Sequence, residues 1–362
     1  MYPVAHIDLT AIEHNFLRVR ALAPNSQIMA VIKANAYGHG AVEAAKALSD
    51  SDAFAVARLT EAVQLRQAGI SQPIVLLEGV HSIDELQAAS THNLSLVFHT
   101  SLQLDLLKSI DLPSQLSFCW LMMETGMHRL GFAESEMDNA LSFLQENHNI
   151  TGQIGIMSHF ANSDEYGDER NTAQLERITS FSQAHDVPIS LANSAAILSY
   201  PDSHKQWLRP GLMLYGISPF DDKNSAELGL RSVMRLCSQI IAIKELEQGD
   251  QVGYGGTWVA PDKVRIAIVD IGYGDGYSRQ LSNQGSVLIN GNICPVVGRV
   301  SMDMIAVDIT SMDTVTVRNE VVLWGDGLLT AEMVAQKVNT IAYELVCQLN
   351  GRVRREYHYG ES

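Results

Sequence analysis

The sequence predicts an α/β protein: a (β/α)8 barrel over residues 1–225, followed by a mainly antiparallel β domain over residues 226–362. Three observations predict it. Up to about residue 217, short apolar runs alternate with longer amphipathic stretches, and about eight such units over ~200 residues match a barrel in size. Beyond about residue 225, short β-rich runs are separated by glycine, asparagine and aspartate turns, with almost no helical pattern. Between the two textures lies a polar stretch, 221–227, that reads as a linker.

The strands of the first part are expected at 29–33, 53–57, 74–77, 94–98, 116–123, 154–160, 189–193 and 212–216. Helical patterns fill most gaps, at 41–48, 60–68, 83–89, 102–110, 134–146 and 174–185, and another helix from Leu9 to Ala23 precedes the first strong strand. Ser82 and Glu85 have capping-box spacing, and Gly69 sits where a helix would stop. A doubly wound open sheet is the competing architecture, because periodicity does not distinguish an open sheet from a closed one. In the second part, strands are expected at 238–243, 265–271, 285–289, 293–296, 304–309 and 320–324, with helices at 331–338 and 343–349. Asn290-Gly291-Asn292 marks a hairpin.

Composition narrows the function. With 46% hydrophobic and 18% charged residues, the chain reads as an ordinary globular protein. A net charge of −16 argues against a nucleic-acid or anionic-membrane surface, though not against a small anion in a local basic pocket. The four cysteines, Cys119, Cys237, Cys294 and Cys347, lack C-x-x-C spacing and suit a reducing compartment. No secretory signal or membrane-spanning run is visible, so a cytoplasmic protein is expected. No metal-binding spacing occurs among the histidines, the glycine-rich segments lack a following helix, and no G-x-S-x-G elbow is present.

The segment VIKANAYGHG, residues 31–40, places Lys33 at the end of an apolar strand. Burial disfavours an ammonium group, and a neutral, nucleophilic lysine is what Schiff-base chemistry needs. Gly38 and Gly40 would let the backbone pass close to a ligand. The plainer reading is a strand-end lysine reaching solvent beside a glycine-rich turn. A barrel's active site lies at the C-terminal ends of its strands. The polar residues expected there are Lys33, Arg58, Glu78, His159, Asn193, Ser194 and Arg209, and their Ser, Asn, Gly and Arg content suits a phosphate.

The segments VIKANAYGHG, ETGMHRLGF, SHFANSD, LRPGLMLYG, VGYGGTW, GYGDGY, VGRVSMDM and AYEL occur in the order found in alanine racemases, which the chain resembles over almost its whole length. The resemblance implies a pyridoxal 5′-phosphate (PLP) enzyme that interconverts L- and D-alanine as a homodimer, supplying D-alanine for peptidoglycan. Lys33 would hold PLP and exchange the substrate's α-proton on one face. Racemisation needs a second acid/base on the opposite face, and Tyr254 matches the tyrosine that the partner subunit donates. Arg209 matches the arginine facing the pyridine nitrogen, where a group that can only donate leaves that nitrogen unprotonated. His159 matches the residue that orients this arginine. Tyr37, Ser194, Tyr343 and the backbone of Gly211 and Leu212 match the phosphate cradle. Arg129 matches the arginine near the substrate carboxylate, with Met302 and Asp303 of the other subunit beside it. Asp164, Tyr273, Arg279, Arg299 and Ile341 match the corridor by which substrate arrives.

One departure stands out. Many members carry a lysine, often carbamylated, seven residues before the position of Arg129; here it is Met122, which cannot carry charge. Glu124, on the same strand face, is the expected compensation, with a bound inorganic anion as the other candidate, and Arg129 is otherwise expected to be less fixed. Competing functions are a broader-specificity or serine racemase on the same scaffold, a non-catalytic PLP carrier, or a fold-related decarboxylase.

Overall fold

A computed structural model describes residues 3–360. They divide into two compact units: Glu13–Ala36 with Ala41–Leu214, and residues 3–12 with Tyr37–Gly40 and 215–360.

The first unit is a closed barrel of eight parallel strands. The chain's first strand, β1 (Val4–Asp8), lies outside it; the staves are β2 (Gln27–Val31), β3 (Ala53–Val56), β4 (Ile74–Leu76), β5 (Ser95–Phe98), β6 (Leu116–Met122), β7 (Ile150–Met157), β8 (Ile189–Ser190) and β9 (Trp207–Leu208). Closure runs through Gln27 opposite Trp207 and Ile28 opposite Leu208, which removes the open-sheet alternative. Apart from Gln27 and the N-terminal parts of β6 and β7, the staves are buried, as parallel strands covered by helices must be. Trp120 is fully buried and meets Phe118 and Trp207 edge-on. It has room because its register partner is Gly155, where a Cβ would lie 2.6 Å from the indole.

The expected eighth stave at 212–216 is corrected. Leu212–Tyr215 is a 3-10 turn, and the closing strand is the two-residue β9. Both segments are apolar and buried, so hydrophobicity did not separate them. The helix expected from 174 begins five residues earlier, at Glu169, where the Asp168 side chain accepts the Arg170 N–H at 2.9 Å. Ser82 caps the helix Ile83–Thr91 as expected, taking the Glu85 N–H at 3.2 Å, while Glu85 reaches back to the His81 N–H rather than to that of Ser82.

The second unit is built on an eight-stranded sheet, antiparallel except for one pair. It contains β10 (Met234–Leu246), β13 (Val264–Val269), β14 (Ser286–Ile289), β15 (Asn292–Val297), β16 (Ile305–Asp308), β17 (Glu320–Trp324) and β18 (Arg354–His358), with the small hairpin β11 (Gln251–Val252) and β12 (Trp258–Val259) beside it. Because β13 pairs back onto β10, six strands close into a ring. Asn290 and Gly291 link β14 to β15 with φ of 47° and 77°, as a tight hairpin requires. β1 joins this sheet between β10 and β18, a placement the sequence pattern did not announce. No helix among the described residues is long and apolar enough to cross a membrane.

Candidate functional site

Lys33 follows β2 directly after the buried Ile32, at the C-terminal end of a barrel stave. Burial, and after it the nearby Arg129, lowers its amine's pKa; Arg209 adds to this, while Glu78 and Glu61 oppose it. A lowered pKa leaves more of the amine neutral and nucleophilic. The residues that follow have an unusual backbone: Ala34, Asn35, Ala36 and Tyr37 have φ of 52°, 55°, 54° and 52°. Each L-residue in this left-handed region costs about 1–2 kcal/mol, so the surroundings must impose the turn. Part of that hold is Glu61, whose Oε1 accepts the Ala34 N–H at 2.6 Å, and Asn35, whose Oδ1 accepts the Ala41 N–H at 2.9 Å.

Arg209 follows β9 and is 5% exposed. Its guanidinium donates to Ser190 Oγ at 2.8 Å, to the Ser158 carbonyl at 2.5 Å and to the Leu191 carbonyl at 3.3 Å. It also faces His159 Nδ1 at 3.3 Å, just beyond the end of β7. Burial first, then the charges of Arg209, Arg129 and Lys33, pushes the His159 pKa down to about 3, so the ring is neutral. Ser194 opens the helix Ser194–Ser199 and is 3% exposed. Its Oγ accepts N–H groups from Gly211 at 2.9 Å and Met213 at 3.2 Å. With both lone pairs used, its hydroxyl proton is left to donate elsewhere. Leu212 is buried in the turn that follows, and Asp164 is exposed on the loop after β7.

The expected compensation at Met122 is corrected. Met122 is buried at the end of β6, but Glu124 does not pair with Arg129. Its Oε1 accepts the Gly126 N–H, and the side chain beside it is that of His128, with Nδ1 at 3.9 Å. The carboxylate is used up in closing its own loop. Arg129 is exposed and has no hydrogen bond or ion pair among the described residues. The barrel therefore carries the Lys33 amine and the guanidinium groups of Arg129 and Arg209 within electrostatic reach of one another, with no anion paired to Arg129 among the described residues.

The second unit holds the remaining sequence-identified residues. Tyr37 is nearly buried, with its ring 5.1 Å from that of Tyr215 and 5.7 Å from that of Tyr343. Burial raises the Tyr37 phenol far above its ordinary pKa, so it stays a donor. The space at Gly38 and Gly40 is taken by the protein itself: a Cβ would lie 2.1 Å from the Val346 carbonyl oxygen and 2.0 Å from the Tyr357 hydroxyl. Tyr254 sits in the turn between β11 and β12, is 71% exposed, and is flanked by Gly253 and Gly255 at positive φ. Tyr273, Arg279, Arg299, Met302 and Ile341 are also exposed. Asp303 is held by Arg352 at 2.6 Å.

Two positioning groups escaped the sequence reading. Gln174, on the helix Glu169–His185, joins the loops after β6 and β7, donating to Thr125 Oγ1 at 3.0 Å and the His159 carbonyl at 2.9 Å while accepting the Ala161 N–H at 3.0 Å. Glu61 is the other. Gln174 acts on partners well separated in sequence, and Glu61 adds to its local cap at Ala57 and Arg58 a bond to the distant Ala34 N–H, so neither was marked by a motif. In the second unit, His6, Cys237 and Glu320 bring potential metal-ligand atoms within 4.8 Å of one another. Glu320 is already paired there with Arg235 at 2.5 Å.

Two family models cover the chain: the alanine racemase N-terminal domain matches residues 7–219, and the alanine racemase C-terminal domain matches residues 233–357. The chain belongs to the alanine racemase family. The alanine racemase of Nitrosococcus oceani is 47% identical over 98% of this chain and 99% of its own length. That of Coxiella burnetii is 45% identical over 97% of each. Among solved structures, the biosynthetic alanine racemase of Pseudomonas aeruginosa superposes with a TM-score of 0.93 at 41% identity, covering 99% of this chain and 100% of that one.

The barrel's donor set fits the family's cofactor, PLP. A part-buried amine inclined to neutrality suits the aldehyde, and a buried guanidinium that only donates suits the ring nitrogen. A serine hydroxyl with a proton to spare suits the phosphate.

Proposed function

We propose that this protein interconverts L-alanine and D-alanine with PLP, as a cytoplasmic homodimer in which each subunit completes the other's site. The observation that carries the reading is Lys33: an amine at a barrel strand end, shifted toward neutrality by burial and by Arg129. Bound PLP would supply the electron-withdrawing ring that acidifies the α-proton of an attached amino acid. The residues would then divide the work. Arg209, which can only donate, would face the ring nitrogen and leave it unprotonated, a setting that would favour simple proton exchange over transamination. His159 orients Arg209. Ser194 donates its hydroxyl to the phosphate, and Tyr37, Tyr343 and the backbone of Gly211 and Leu212 are assigned to the same group by resemblance. Arg129 binds the substrate carboxylate, with Met302 and Asp303 of the partner beside it. Lys33 takes or returns the α-proton on one face, and Tyr254 of the partner does so on the other. Asp164, Tyr273, Arg279, Arg299 and Ile341 would line the corridor. We assign residues 1–225 to cofactor binding and residues 226–362 to completing the partner's site, with Tyr343 as the exception that serves the cofactor's phosphate.

The test mixes pure protein, PLP and a panel of L-amino acids, then scores the D-enantiomers. D-Alanine should dominate, and borohydride should fix the cofactor on Lys33. Product from other amino acids at comparable rates would replace alanine with a broader substrate class, and a cofactor fixed elsewhere would overturn the role of Lys33.

A further inference from the structure

We propose that Glu61 is a positioning residue for Lys33: its carboxylate clamps the left-handed turn that begins at the lysine and so sets the direction from which the amine works. The inference rests on Lys33 being the cofactor-bearing base. Four consecutive non-glycine residues after Lys33 have positive φ, and such a backbone persists only where its surroundings over-determine it. The Ala34 N–H belongs to the peptide unit that leaves Lys33, so a partner for that N–H fixes ψ of Lys33, and with it the direction of the side chain relative to β2. That partner is Glu61 Oε1, at 2.6 Å.

The other oxygen, Oε2, accepts the Ala57 N–H at 2.9 Å and the Arg58 N–H at 3.0 Å, just past the end of β3. One carboxylate thus ties the end of β2 to the end of its neighbour β3, with both acceptor oxygens used. A capping glutamate elsewhere in the barrel does less. Glu136 stands at the same position of the helix Glu134–Glu146 and takes the Ala133 N–H at 2.9 Å, with no bond to another strand end. Glu61 makes the same cap and also reaches across to the lysine's turn. Its charge is among those that reach Lys33, after that of Glu78.

The experiment compares Glu61→Ala and Glu61→Gln with Glu136→Ala. Glutamine keeps one acceptor oxygen and replaces the other with a donor, so it severs one of the two ties while filling the same space. Four quantities are read: melting temperature, the rate at which added PLP develops its protein-bound visible absorption, kcat and KM for alanine. Removing either cap should lower the melting temperature similarly. Only the Glu61 variants should slow development of the visible absorption and lose kcat by about 100-fold, with KM little changed. A Glu61→Ala protein that matches Glu136→Ala in all four quantities would reduce Glu61 to an ordinary cap and overturn the proposal. Should Glu61→Ala not fold, Glu61→Gln carries the same comparison. Borohydride labelling of wild type separates the two failures. If Lys33 is not labelled, the assignment of Lys33 falls and the proposal with it; if it is labelled and the variants behave like wild type, the proposal falls alone.

Discussion

Arg209 Nη2 stands 3.3 Å from Nδ1 of His159. Because a guanidinium can only donate, Nδ1 must be the acceptor, and the proton of the neutral imidazole sits on Nε2. The arginine thereby selects the tautomer, and burial with the surrounding positive charges keeps a second proton off the ring.

That relationship gives the first prediction. The folded-state pKa of His159, about 3, lies below the ordinary value of 6.5, so the unfolded chain binds more protons between those two values. Stability attributable to His159 is therefore lost as pH falls from about 6.5 toward 3, at no more than about 1.4 kcal/mol per pH unit. Denaturant titrations of wild type and His159→Gln should diverge across this window. An NMR titration of the His159 ring with its midpoint near 6.5 would contradict the assignment.

Glycine contributes differently at two positions of similar backbone. Gly38 and Gly69 have φ of +82° and +85°, but a Cβ at Gly38 would lie 2.1 Å from the Val346 carbonyl oxygen, whereas at Gly69 nothing lies within 4 Å. Gly69→Ala should cost only the backbone strain, about 1 kcal/mol. Gly38→Ala should cost well above that, since backbone must move. Equal stability losses would mean that the close approach to Val346 does not matter.

Met122→Lys is the informative variant at the point where the chain departs from many relatives. Arg129 lacks an anionic partner among the described residues, and Glu124 is used elsewhere. A lysine able to become carbamylated would supply the missing charge, so KM for alanine should change when bicarbonate is present. An unchanged KM would show that Arg129 needs no fixed anion.

Tyr254→Phe probes the two-base assignment. Removing one phenol should slow α-deuterium washout from one alanine enantiomer much more than from the other, because each base serves one face. Equal slowing of both would contradict opposed roles for Lys33 and Tyr254.

Much of the barrel was legible because its staves are uninterrupted apolar runs between amphipathic helices, a pattern that survives without knowledge of neighbours. Gly69 and Asn290-Gly291 were legible for a local reason: the turn itself demands positive φ. The ends of the barrel were not. β9 is only two residues long, and its apolar neighbours at 212–215 looked the more persuasive strand. β1 was missed because its partners β10 and β18 begin about 230 and 350 residues later. At the site, Lys33, His159, Ser194 and Arg209 were visible as polar residues closing apolar runs, while Gln174 and Glu61 stood at the starts of helix patterns, where a polar residue reads as an ordinary helix end.

The sequence by itself determined which residue types could do chemistry and where they fell along the chain: a lysine at a strand end, an arginine two residues before a glycine, a tyrosine between glycines. It also determined the family. Only the tertiary structure decided the state in which those groups are held. In Lys-Ala-Asn-Ala-Tyr only Asn35 readily accepts a left-handed backbone; the Glu61 carboxylate, far away in sequence, helps hold the whole turn. Nothing in the order of Met122, Glu124 and Arg129 says that the carboxylate folds onto its own loop and leaves the arginine without a paired anion among the described residues. Local pattern carries burial and periodicity, whereas backbone strain, tautomer and charge depend on which groups meet across the fold.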